Sequence, residues 1–278
     1  MTEYLEIEGG RLAYDVTGDG PLVVLAHGMG DGRGAYRLLA PRLVAAGYRV
    51  ASVDLRGHGE STTDWPSYTR TDVANDLLAL IRQLGGPAVV VGHSFSGGAA
   101  TIAAALDPDM VSAVVEIGPF TRAQKLDLGG LLRNGRHRKG VTLLLGAGAL
   151  RSVGLWRRYL DHAYPGVKPA DYEEYMTALE AALRRPGRMA VVSKMGMSAP
   201  TDAGAQLPNV HVPALVVMGT LDPDWADPRA EAEGVVAAMP AGRGTVVMIN
   251  GAGHYPHAQF PAEVSEIMLA FLKEHARA

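Results

Sequence analysis

Apolar residues along this 278-residue chain come in short, β-branched runs, each stopped by glycine, proline or aspartate. The runs read “LEIEGG”, “LAYDVTG”, “LVVLAHG”, “YRVASVD”, “AVVVGHS”, “VSAVVEIG”, “ALVVMGT” and “TVVMIN”. Runs of this length without clean alternation suit strands buried on both faces. Stretches with apolar residues at helical spacing separate most of them. “YRLLAPRLVAAG” follows the third run. “TDVANDLLALIRQLGG” precedes the fifth, with Thr71 as its predicted N-cap and a glycine pair as its stop. “AEVSEIMLAFLKEHA” closes the chain. Strand alternating with helix predicts an α/β fold, a mostly parallel central sheet covered by helices. The first two runs meet around Gly9 and Gly10, which predicts an antiparallel hairpin at one edge.

The alternation stops between residues 119 and 208. “LDLGGLLRNGRHRKG”, “GLWRRYLDHAY” and “ADYEEYMTALEAALRRPGRMAVV” read as helices there, with no convincing strand. A stretch this long is not a structureless loop. It predicts a helical cap, 119–208, inserted into a core made of 1–118 and 209–278. Charge draws the same boundary: the cap carries 14 basic and 7 acidic residues, the remainder 12 and 22. Either the two parts attract each other, or some of Arg122, Arg133, Arg136, Arg138 and Lys139 steer acidic substrates to the entrance. “VTLLLGAGAL” and “VGLW” are either core-facing helix or an apolar substrate wall.

Composition removes several function classes. Absence of cysteine excludes disulfides, thiol catalysis and cysteine zinc sites. A net charge of −3 gives no global attraction to nucleic acid. The start, “MTEYLEIEGGRLAYDV”, lacks the basic and apolar regions of a signal peptide. No apolar segment approaches the roughly 20 residues a membrane span needs. The expectation is a cytoplasmic protein with no membrane span.

In an open parallel sheet, functional groups gather beyond the carboxyl ends of the strands. Five predicted strands end in chemically suggestive residues: His27-Gly28-Met29-Gly30, Asp54 to Ser61, Gly92 to Gly97, Gly219 to Asp222, and Gly251 to His254. A serine hydroxyl needs a base to take its proton, and the base needs an orienting carboxylate. Ser94, His254 and Asp222 supply these, each after a different strand. A developing oxyanion needs donors fixed in advance. The N–H groups of Phe95 and Met29 are the candidates.

The order Ser, Asp, His around a strand–turn–helix resembles the α/β-hydrolase superfamily and its nucleophile elbow. “HGMG” looks like that family's oxyanion loop, and “DLRGHGES” is similar to a stretch in its cap-bearing members. The resemblance covers residues 4 to about 118 and 209 to 275. It implies an esterase-type serine hydrolase that acts on a small ester-like substrate through an acyl-enzyme and requires no cofactor. One feature departs from the pattern G-x-S-x-G: the chain reads G-H-S-F-S, with Ser96 in the glycine position. That spelling is similar to “GHSVS”, found in a subgroup that includes hormone and signal receptors. A receptor is therefore one alternative. Other chemistry on the same triad is a second: carbon–carbon cleavage, a lyase reaction or perhydrolysis.

Rivals stand beside each candidate. Ser96 falls inside the following helix. His257, His58 and His93 compete with His254; His58 is expected to hold a loop and His93 to pack beside the elbow. “HYPH” offers no third metal ligand, so no metal is expected. Asp224 competes with Asp222, or caps a turn. “GDGRGA” with Asp54 matches a dinucleotide fingerprint, but it starts late after its strand and leaves the serine, aspartate and histidine without a role.

Overall fold

The structure, a computed structural model, describes residues 1–123 and 128–277. All eight apolar runs are strands: β1 (Thr2–Ile7), β2 (Gly10–Thr17), β3 (Leu22–Ala26), β4 (Arg49–Val53), β5 (Ala88–His93), β6 (Val111–Ile117), β7 (Ala214–Gly219) and β8 (Gly244–Ile249). They form one sheet in the order β1-β2-β4-β3-β5-β6-β7-β8. The hairpin β1–β2 and the pair β2–β4 are antiparallel. Every other pairing is parallel. Each residue of β3, β5, β6 and β7 is buried, which explains their unbroken apolar spelling.

Strand periodicity divides the core in two. Val24, Val90 and Val114 face one side, with helices α2 (Arg70–Gln83) and α3 (Phe95–Leu106) packed over them. Val23, Val89, Val91 and Val115 face the other, beneath α1 (Ala40–Ala45) and the C-terminal helix Pro261–His275.

Two local expectations are corrected. Helix α2 is capped by Thr69, not Thr71. Thr69 is extended and its hydroxyl accepts from Asp72 N–H at 3.1 Å, while the Asp72 carboxylate accepts from Thr69 N–H at 2.7 Å. This reciprocal capping box satisfies two orphan donors at once, which Thr71 cannot do. “YRLLAPRLVAAG” is not one helix: a 3-10 turn, Arg33–Tyr36, precedes α1, which restarts at Ala40-Pro41 because proline suits a first turn.

Between β6 and β7 the chain is helical, with no strand among the described residues: α4 (Leu128–Arg133), α5 (Gly135–Leu150), α6 (Val153–Ala163), α7 (Tyr172–Leu183), α8 (Arg188–Met197) and α9 (Thr201–Gln206). Leu126 and Asp127, the start of the first expected segment, lie outside the described residues. After β7 come α10 (Pro228–Ala237), α11 (Pro256–Gln259) and the C-terminal helix, α12.

The insertion has its own cluster around Trp156, Tyr159, Leu160 and Met176, which Tyr255 and Ala258 complete from the chain after β8. Val191, Met195 and Ala203 instead join the main core beside α2 and α3. Polar ties reinforce the seam. Arg37 holds Asp171 with two 2.7 Å bonds, and Trp156 Nε1 donates to Gly30 O at 3.0 Å. Among the described residues no helix is long and apolar enough to cross a membrane.

Candidate active site

Ser94 stands between β5 and α3 with φ 55° and ψ −116°, a backbone region that strains any residue with a side chain. Its N–H donates to Ile117 O, and its own carbonyl accepts from the N–H groups of Gly97 and Phe120. The turn is tight enough to dictate its glycines. A Cβ on Gly92 would fall 2.1 Å from Ser96 O, one on Gly97 2.6 Å from Pro119 Cβ, and one on Gly98 2.7 Å from Arg70 Cδ. Position 96 is spared that crowding. Ser96 lies in α3, fully buried, and its hydroxyl donates to His27 O at 2.6 Å. The departure from the glycine pattern is therefore a tie between the elbow and the loop after β3.

His254 and Asp222 meet as expected: Nδ1 donates to Asp222 Oδ2 at 2.8 Å, with both side chains buried. Asp224 is nearer than a bystander. Its Oδ2 lies 3.3 Å from His254 Nδ1 and accepts from Tyr159 OH at 2.7 Å, and its N–H donates to Asp222 Oδ1. It caps no helix; Asp227 caps α10. Burial pulls the His254 pKa down, but the charges of Asp222 and then Asp224 outweigh burial and leave it raised. Burial likewise raises the Asp224 carboxyl above the usual carboxylate range. Asp222, Asp224 and His254 bring ligand-type atoms within 4.8 Å of one another, all buried. Their facing atoms are already engaged in the hydrogen bonds just described.

The other histidines separate cleanly. His58 Nε2 accepts from Gly30 N–H at 3.0 Å, so it holds the loop after β3. His93 is fully buried beside the elbow, with Nε2 bonded to His254 O at 2.9 Å. His257 is buried against the Tyr36 and His93 rings, and burial lowers its pKa to about 3. Asp54 is occupied by Arg33, through its main chain and guanidinium, and by Glu60 N–H, which leaves no ribose acceptor.

Ser94, His254, Met29 and Phe95 all border one cavity of about 260 Å³. The Gly30 N–H is spent on His58, whereas neither Met29 N–H nor Phe95 N–H has a partner among the described residues. The opposite wall comes from the insertion: Leu144 and Leu145 of α5, Trp156 of α6, Val192 of α8. “VTLLLGAGAL” is thus both helix and wall. None of Arg122, Arg133, Arg136, Arg138 and Lys139 is among the residues that border this cavity. Arg122 pairs with Glu231, Arg138 with the carbonyls of Leu131 and Leu132, and Arg136 and Lys139 border a separate surface hollow.

Residues 23–267 match the family described as the alpha/beta hydrolase family. The chain belongs to that family. A 2-(acetamidomethylene)succinate hydrolase of Mesorhizobium japonicum is 28% identical over 272 residues, 92% of this chain and 90% of that one. Among solved structures, an esterase from Exiguobacterium antarcticum has TM-score 0.80 at 20% identity, covering 98% of this chain and 100% of that one. The epoxide hydrolase CorEH has TM-score 0.80 at 19% identity, covering 99% of each. At such identities the two structures speak to the fold alone.

Three features of this α/β hydrolase escaped the sequence. The end of β6 matters: a Cβ on Gly118, at φ +52°, would sit 3.1 Å from His254 Nδ1 and 3.3 Å from Asp222 Oδ2. A glycine closing an apolar run was its visible signal. Tyr159 reaches Asp224 across 65 positions, which no local pattern records. Arg70 borders the cavity from a core helix, hidden in sequence among ordinary surface arginines.

Proposed function

We propose that this family member is a serine hydrolase that transfers an acyl group from a small carboxylic ester to water. Ser94 Oγ attacks the carbonyl carbon, and His254 takes its proton. Asp222 holds the imidazole orientation and stabilises the imidazolium. The N–H groups of Phe95 and Met29 receive the oxyanion. His254 then returns the proton to the departing alkoxide, and water, activated by the same histidine, releases the acid. The inserted helices act as a cap over this chemistry and supply the apolar wall against which the substrate lies.

The strained Ser94 backbone carries the assignment: it sits at a cavity that also receives a histidine bonded to a buried carboxylate. Strain of this kind persists where the surroundings over-determine it, and such sites are commonly functional. The 28% identical relative is named for hydrolysis of a substituted succinate, which fits attack on an acyl centre.

The test is covalent. A fluorophosphonate probe should label the peptide containing Ser94, and Ser94→Ala should abolish both labelling and turnover of short-chain esters. Label on Ser96, or turnover that survives Ser94→Ala, removes the assignment.

A further inference from the structure

Arg70 is the first residue of α2, is 4% exposed, and borders the Ser94 cavity. Its Nε donates to Phe120 O at 3.0 Å and its Nη1 to Ser198 O at 2.8 Å. Both acceptors are neutral, and a guanidinium has five N–H donors. No carboxylate among the described residues lies within ion-pair reach of it. Asp202, the acid whose charge it senses, accepts instead from the Thr71 N–H and hydroxyl at 3.2 and 3.0 Å. Burial draws its pKa down to about 10, which leaves it cationic at neutral pH.

Among the described residues two other arginines are buried, and only one of them has a carboxylate partner. Arg56 grips Asp76 with two 2.7 Å bonds. Half-buried Arg33 meets Asp15, Asp54 and Glu60. Arg188 also binds only carbonyls, those of Ser61 and Gly59, but it lies on the seam with the β4 loop and does not border the cavity. A buried cation without a counter-charge is costly, and a ligand that supplies the charge recovers that cost.

The guanidinium is also fixed in place. It lies over the Phe95 ring at 4.1 Å, and Gly98 leaves room for its stem. Phe95 is the residue whose N–H is assigned to the oxyanion. The cavity's own acid, Asp224, gives its Oδ2 to Tyr159 and His254 and keeps Oδ1 without a partner among the described residues. Phe120 also borders the cavity; its carbonyl accepts from Arg70, and its ring centroid lies 6.0 Å from that of His254.

We propose that Arg70 anchors a carboxylate carried by the substrate, so that the natural ester bears a free acid group a few bonds from the scissile carbonyl. This rests on the ester-hydrolase assignment above and narrows it. The selecting cation comes from the core helix α2, not from the basic face of the insertion.

Two ester series test it: monoethyl esters of C4 to C8 dicarboxylic acids, and ethyl esters of the corresponding neutral fatty acids. The parent should favour the best acid-bearing ester in kcat/KM by about 30-fold, as expected when a buried charge gains charge-assisted hydrogen bonds. In Arg70→Met and Arg70→Gln that ratio should fall to near one. A parent with no preference, or a preference that survives in either folded variant, overturns the proposal. Calorimetric titration of the parent with the free diacids separates the two claims without turnover. Diacid binding that is lost in the Arg70 variants supports the anchor even if no ester is cleaved, and the hydrolase assignment then fails alone. Neutral-ester turnover without diacid binding removes the anchor and leaves the hydrolase assignment standing.

Discussion

The two walls of the Ser94 cavity are built on different principles. The sheet-side wall is made where strands end: Met29 after β3, Ser94 after β5, Asp224 after β7, His254 after β8. Main-chain bonds and close approaches hold its groups, as between Ser94 N–H and Ile117 O or between Gly118 and His254. The helix-side wall is made of apolar side chains on α5, α6 and α8, partly at the surface; Leu145 is 67% exposed. The aliphatic residues Leu144, Leu145 and Val192 can change without breaking a polar tie to the sheet side, whereas Trp156 and Tyr159 of α6 hold Gly30 O and Asp224. Backbone geometry therefore holds the sheet side, while the aliphatic side chains set what fits against it.

If that division is right, substitutions on the sheet side should act on rate and those on the helix side on fit. The largest effect is expected from Ser94→Ala, with kcat falling by about 10⁴-fold or more, since triad members act as a unit. Ser94→Gly should be equally inactive yet more stable than Ser94→Ala by roughly 1 kcal/mol, because glycine adopts the positive φ without strain. Thermal melting of the two variants side by side reads this directly. A glycine variant less stable than the alanine variant would mean that the turn is not strained.

Next come the two acids. Asp222→Asn should cut kcat by about 10³–10⁴-fold, since it removes the 2.8 Å partner of His254 Nδ1. Asp224→Asn should cost far less in maximal rate but alter the pH profile. The proposed base works deprotonated, so a raised His254 pKa places the rise of kcat/KM above the ordinary histidine value of about 6.5. Asp224 supplies part of that raising charge, so its removal should move the midpoint to lower pH. Profiles from pH 5 to 10 check it. A midpoint that stays put would show that Asp222 alone sets the imidazole.

Met29, on the loop after β3 and proposed as an oxyanion donor, comes next. Met29→Leu should keep most activity, because only the N–H is used. Met29→Pro removes that donor and should cost about 100-fold, provided circular dichroism shows it folded. The smallest effect belongs to the helix side. Leu144→Ala should change KM for long-chain esters several-fold and leave kcat within about twofold, as expected for a few lost methylenes in a binding wall. A large loss of kcat would show that the inserted helices help place the reacting groups.

Local spelling sufficed for a good part of this protein. Unbroken valine runs mark strands covered on both sides, so all eight strands were legible, as was the edge hairpin. Glycines at strand ends announced turns, and the sequence placed Ser94, Asp222 and His254 each after its own strand, where the structure has them. Cap identity at α2 was written in Thr69-x-x-Asp72, although Thr71 drew the assignment. Other features depended on residues distant in sequence becoming neighbours. Tyr159 joins Asp224 from the insertion, and Ser96 finds His27 O. Asp202 is taken by Thr71, which leaves Arg70 bordering the cavity without a carboxylate partner among the described residues. Charge counting left open whether the basic residues between β6 and β7 attract the rest of the chain or steer substrates, because a count has no direction; in the folded chain Arg122 meets Glu231, Arg138 meets carbonyls, and Arg136 and Lys139 border a surface hollow. Strands, turns and the order of Ser94, Asp222 and His254 depend on near neighbours and on chain topology, which sequence records. Which polar groups are satisfied, and which buried cation is left over, depends on long-range packing, and only the tertiary structure decides that.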